Sequence, residues 1–135
     1  MIIVASPAMQ QGKLKHVQLN ADVVFLSLGG LGFKSRKKIA AYFAAAVLEA
    51  GARRVYPIHW DKGETALVPK PHVLDPMFPR LHRAVLNVIS DLATACGVEF
   101  HQIPIAIAFD PFENMPARMP KPDAPECQRA LSVQN

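Results

Sequence analysis

The sequence predicts an α/β fold, and three observations carry that prediction. Two short apolar runs, residues 23–28 and Arg54–Ile58, have the length and residue types of buried strands. A stretch of helical periodicity lies between them, and a longer one comes after the second. Strand, helix and strand in that order imply parallel strands joined by a right-handed crossover. The chain has 135 residues, 50% of them apolar, which is enough for a core in one domain or in part of a larger one.

Taken in order, the elements are these. Ile2-Ile3-Val4-Ala5 reads as a first buried strand, and a core strand directly after Met1 implies that the sheet has earlier strands. Residues 6–20 form a polar loop with Pro7 and Gly12. The second strand, 23–28, is apolar on both faces, as in a sheet covered on both sides. Gly29-Gly30-Leu31-Gly32 makes the turn out of it, and Ser35 is placed to cap a helix running to about residue 50. Ile39, Phe43, Val47 and Ala50 form the buried stripe of that helix, and Gly51 ends it. After the third strand, Arg54–Ile58, comes an irregular loop over 61–76 with Pro69, Pro71 and Pro76. The longest helix covers 77–96, with Leu81, Val85, Val88 and Leu92 on one stripe. A fourth strand is expected over 98–103, with a continuation over 105–109. Residues 1–113 are read as the folded domain and 114–135 as a Pro-rich, disordered tail.

Composition removes several function classes. No run approaches the ~18 apolar residues of a membrane span, and the N-terminus has no signal-peptide pattern, so a cytoplasmic protein is expected. Cys96 and Cys127 are accordingly expected as reduced thiols, and no CxxC offers a thiolate zinc site. The net charge of +4 is scattered, apart from a cluster at Lys34, Arg36, Lys37 and Lys38, so no nucleic-acid partner is expected. The glycine turn fails both phosphate fingerprints: Phe33 interrupts the P-loop pattern before Lys34-Ser35, and Ser35 stands where a dinucleotide motif needs glycine. A nucleotide-binding βαβ unit is therefore the weakest reading.

The five histidines, His16, His59, His72, His82 and His101, are too far apart for HxH, HExxH or H-x3-H pairs. Any metal site must gather its ligands from distant segments. His59 is the best candidate, because it lies just past the carboxyl end of a parallel strand, where open α/β sheets place functional groups. Trp60 and Asp61 flank it as neighbouring candidates.

The stretch Asp22-Val23-Val24-Phe25-Leu26-Ser27-Leu28-Gly29-Gly30-Leu31-Gly32, a helix, and then Arg53-Arg54-Val55-Tyr56-Pro57-Ile58-His59-Trp60-Asp61 resembles the C-terminal half of metallo-β-lactamase-fold hydrolases. Asp110-Pro111-Phe112 is similar to the ending of one bacterial branch, so the resemblance spans roughly residues 1–113. It implies half of an αββα sandwich, with strand, loop, strand, helix, strand, long helix and strand in order. It also implies that His59 binds zinc or another divalent metal, and that the substrate is a small molecule. The family's H-x-H-x-D-H signature does not occur in these residues, and Ser6 and Pro7 stand where complete members often carry a bridging aspartate. The chain by itself is therefore expected to be inactive, as a portion of an enzyme that self-associates or joins an N-terminal half. The alternative is a non-catalytic α/β module for binding or oligomerisation, since bare sheet edges and apolar faces promote association.

Overall fold

The computed structural model describes residues 1–4, 19–59, 79–103 and 107–132, with the backbone alone for 79–82. Four strands form one parallel sheet in sequence order: β1 Ile2–Val4, β2 Val23–Ser27, β3 Arg54–Ile58 and β4 Glu99–Phe100. Three helices accompany it: α1 Arg36–Phe43, α2 Pro79–Cys96 and α3 Pro125–Ser132. The α/β class and the parallel strands agree with the sequence; a second sheet, as in an αββα sandwich, is not among the described residues.

The local signals explain the first half of the chain. Ser35 caps α1 by accepting a hydrogen bond from the Lys38 backbone N–H at 3.4 Å. The helix then widens into a π-helical segment, Ala44–Leu48, where Glu49 N–H reaches back to the Ala44 carbonyl. Gly51, at φ 67°, ends it in the left-handed conformation that glycine adopts without penalty. The predicted stripe of Ile39, Phe43, Val47 and Ala50 is buried.

All three helices pack on one face of the sheet. Alternate strand residues Val4, Val24, Leu26 and Val55 meet Phe43, Val47, Val85, Ile89 and Leu92 in a single core. Fully burying one such aliphatic side chain contributes roughly 1.5–3 kcal/mol. On the opposite face, Ile3, Phe25 and Tyr56 stand in register across three strands. Tyr56 stacks on Phe25 at 5.2 Å between ring centroids and is capped by Phe109 at 5.3 Å. Ile3 at the other end of that row is 61% exposed.

β4 is shorter than the expected 98–103, and residues 107–109 add no strand. The cause lies in β3. The carbonyls of Arg53 and Val55 accept from Glu99 and His101, so odd-numbered residues of β3 face β4. Pro57 is next in that row, and with no N–H it ends the ladder.

Two expectations are corrected. The segment from 114 onward is not a disordered tail: it packs against the sheet and then forms α3 through residue 132. Nor are the cysteines reduced, since Cys96 and Cys127 form a disulfide that joins the end of α2 to α3, with both side chains fully buried. Their separation of 31 residues gave no sign of contact while one partner was assigned to a tail. A disulfide fits an oxidising compartment better than the expected cytoplasm. Among the described residues no helix is long and apolar enough to cross a membrane.

Arg54 anchors β4 and a strap formed by residues 110–116. Its side chain is 4% exposed, and its five N–H donors are all engaged. Nε and Nη2 donate to Glu99 Oε2 at 2.9 and 2.7 Å, Nη1 to the carbonyls of Pro111 and Glu113, and Nη2 also to that of Asn114. Burial opposes the charge, but the hydrogen bonds to Glu99 and the nearby Tyr56 hydroxyl prevail and hold the guanidinium above its ordinary pKa. Arg53 adds a bond from Nη1 to the Pro116 carbonyl at 2.8 Å.

Closing a loop of this length restrains the unfolded chain, so reduction, or Cys127→Ser, is expected to lower the unfolding free energy by about 3 kcal/mol. Urea midpoints that coincide with and without reductant would contradict this. Arg54→Ala leaves Glu99 and three carbonyls without their donors and is expected to cost about 3 kcal/mol. In hydrogen exchange the loss of protection should centre on the strap, residues 110–116.

Candidate functional site

The carboxyl ends of β2 and β3 lie side by side, because Ser27 pairs with Ile58 in the parallel register. The Gly29-Gly30 turn after β2 and His59 after β3 therefore meet at one edge of the sheet. Leu28 N–H donates to the Ile58 carbonyl at 2.8 Å and pins the turn to the end of β3. The turn lies close to the end of β3: a Cβ on Gly29 would stand in ordinary contact with His59, 3.4 Å from its carbonyl oxygen and 3.8 Å from its Cβ.

His59 departs from its strand with φ at 53°, in the left-handed region that a non-glycine residue occupies only at a cost. Its ring lies exposed at the edge, while Nδ1 sits 3.3 Å from Ser27 Oγ. Among the described residues Nε2 has no hydrogen-bond partner. Ser27 itself is 1% exposed. The Tyr42 hydroxyl, reaching up from α1, donates to the Ser27 carbonyl at 3.0 Å. Burial pushes the Tyr42 hydroxyl far above its ordinary pKa, so it stays protonated and remains a donor.

Of the residues singled out in the sequence, the structure brings His59 and the glycine turn together at this edge. The basic cluster Lys34, Arg36, Lys37 and Lys38 lies around the first turn of α1, which leaves the same edge of the sheet. Trp60 and Asp61, and with them Ser6, Pro7, His16 and His72, lie outside the described residues, as does the side chain of His82. His101 is elsewhere, with Nε2 3.3 Å from Glu99 Oε2 and its ring 5.9 Å from Tyr56. It lines a pocket of about 420 Å³ together with Arg54, Phe109 and Asp110. That pocket is a poor anion site, because every Arg54 donor is already committed within the chain.

Among the described residues no three His, Cys, Asp or Glu side chains cluster as metal ligands. One imidazole with an open nitrogen fits one place in a coordination sphere, and a catalytic zinc takes about three protein ligands. His59 could supply one such ligand, and the described residues do not supply the others.

Ser27 and Tyr42 escaped the sequence reading. The one signal for Ser27 was a hydroxyl inside an otherwise apolar run, and a buried hydroxyl needs a partner. Tyr42 gave none beyond its place on a buried helical face.

No family model matches this chain, and no curated protein and no solved structure is detectably similar to it.

A residue held in left-handed backbone at a strand end signals a site where stability yields to another demand. Glycine relieves that strain and alanine does not, so His59→Gly is expected to be more stable than His59→Ala by about 1 kcal/mol. Denaturant titration of the two variants provides the comparison, and a more stable alanine variant would remove the strain argument.

Proposed function

We propose that this chain is the C-terminal portion of a metal-dependent hydrolase of the metallo-β-lactamase superfamily, with His59 as one ligand of a zinc or similar divalent ion. The observation that carries the reading is the setting of His59. It stands at the carboxyl end of a parallel strand, in strained backbone, with one ring nitrogen on Ser27 and the other without a partner among the described residues. The residue pattern from Asp22 to Asp61 supports the family, and His59 occupies the place of the histidine that ends its strand motif.

When bound in such a site, zinc lowers the pKa of its water to about 7 and so supplies hydroxide at neutral pH. This chain's part is to hold the ion from one side. The remaining ligands must come from another half or another copy, because the H-x-H-x-D-H signature is not in these residues. The substrate is a small molecule in this reading, and the isolated chain hydrolyses nothing. A non-catalytic binding or oligomerisation module is the second reading. It is favoured by the row of Ile3 and Phe25 on the face away from the helices, where Ile3 is 61% exposed.

Zinc content after equilibrium dialysis, measured on wild type and His59→Ala side by side, tests the proposal. If copies of the chain complete the site between them, zinc is retained by the wild type and falls to background in the variant. Equal, non-zero zinc in the two proteins would overturn His59 as a ligand, and none in either would overturn completion between copies and leave a separate half as the source of the other ligands.

A further inference from the structure

The basic cluster beside the glycine turn equals the whole net charge of the protein. Fifteen Lys and Arg stand against eleven Asp and Glu; with Lys34, Arg36, Lys37 and Lys38 set aside, the remaining eleven cations face eleven carboxylates. No acidic residue occurs between Asp22 and Glu49. Asp22 precedes β2 at the amino end of the sheet, where it holds Arg53, and Glu49 lies at the far end of the helical stretch that α1 begins. None of the four cations has an ion-pair or hydrogen-bond partner for its side chain among the described residues. Arg36 is partly buried, with Nε enclosed and unsatisfied, while the three lysines are exposed.

This placement works against the helix. Arg36, Lys37 and Lys38 occupy the first turn of α1, where the helix dipole is positive and a cation is unfavourable, and no acid in that turn offsets them. Phe33 stands beside them, 72% exposed, although Leu31 two residues earlier is buried. Its turn is held by hydrogen bonds: Leu31 N–H donates to the Leu28 carbonyl at 3.1 Å, and Lys34 N–H to the Leu31 carbonyl at 2.9 Å. The chain thus presents a large apolar ring on a fixed turn, next to four charges that it does not compensate.

We propose that residues 33–38 form a docking patch for an anionic phospholipid surface, with the four cations drawn to the headgroups and Phe33 entering the boundary between headgroups and acyl chains. Charge complementarity names the partner, since compact clusters of about four or more Lys and Arg are attracted to anionic lipid. An inserted apolar ring adds affinity that salt does not screen. A nucleic-acid strand is gripped by a long basic groove with several stacking rings, and one phenylalanine on a compact patch supplies neither. The patch leaves the carboxyl edge of the sheet, so docking brings that edge, with His59, close to the lipid. The patch itself does not depend on a metal at His59.

The test is co-sedimentation of the full-length chain, in chelator and without zinc, with vesicles of phosphatidylcholine alone and with vesicles carrying about one-third phosphatidylserine. The chain should bind the anionic vesicles only, and binding should fall steeply between about 0.1 and about 1 M salt as the screening length shrinks. The double variant Lys37→Gln, Lys38→Gln should bind roughly 25-fold more weakly, at about fivefold for each charge. It should melt no lower than the wild type, because it removes two cations from the positive end of the dipole. Phe33→Ser should weaken binding by roughly tenfold and leave its salt dependence unchanged. No binding to the anionic vesicles, or binding that either variant keeps at wild-type strength, overturns the proposal. A chain that ignores those vesicles and binds a single-stranded oligonucleotide overturns it as well and reassigns the patch to nucleic acid. Zinc takes no part in the assay, so its outcome is independent of the comparison at His59.

Discussion

A guanidinium group withdrawn from water costs several kcal/mol unless its donors find partners, and Arg54 meets that cost by recruiting the rest of the chain. Its five N–H groups reach Glu99, forty-five residues away, and three carbonyls between fifty-seven and sixty residues away. Because β4 pairs over only two residues, the Arg54–Glu99 contact is much of what fixes the edge of the sheet. The same side chain fixes the path of the strap, and so decides where Phe109 settles on Tyr56 and where α3 starts its approach to the helix layer. One buried charge thus links an edge strand, the opposite face of the sheet and the C-terminal segment.

The two ends of the sheet are built on opposite terms. At the amino end of β3, Arg53, Arg54, Glu99 and the strap form a dense set of bonds, and the Cys96–Cys127 disulfide lies in the helix layer behind them. At the carboxyl end, among the described residues, a long hydrogen bond joins Ser27 to His59, His59 and Gly30 take left-handed backbone, and Leu28 and Tyr42 tie the end of β2 to β3 and α1.

The first half of the fold was legible because its signals are local. Apolar runs bounded by Asp22 and Gly29, the Ser35 cap and the Gly51 terminus each act within a few residues, and the elements stand where those signals put them. What failed to show was long-range. The disulfide, the Arg54 bonds and the aromatic row join segments that no periodicity connects. Proline density after residue 110 outweighed a weaker sign of order, the spacing of Ala124, Cys127, Ala130 and Leu131, whose apolar side chains all reach the core. His59 was found from its strand and motif. Ser27, which holds it, was hidden in an apolar run that reads as plain core.

The sulfur bridge also changes how the chain carries load. A pull on the residues beyond Cys127 does not run back through the strap, because the covalent bond hands it straight to Cys96 at the end of α2. The intervening residues, with Phe109 and the partners of Arg54, sit in a mechanical bypass. Whatever is attached to the C-terminal end therefore tugs on the longest helix and its core contacts, while the clamp at the sheet stays slack.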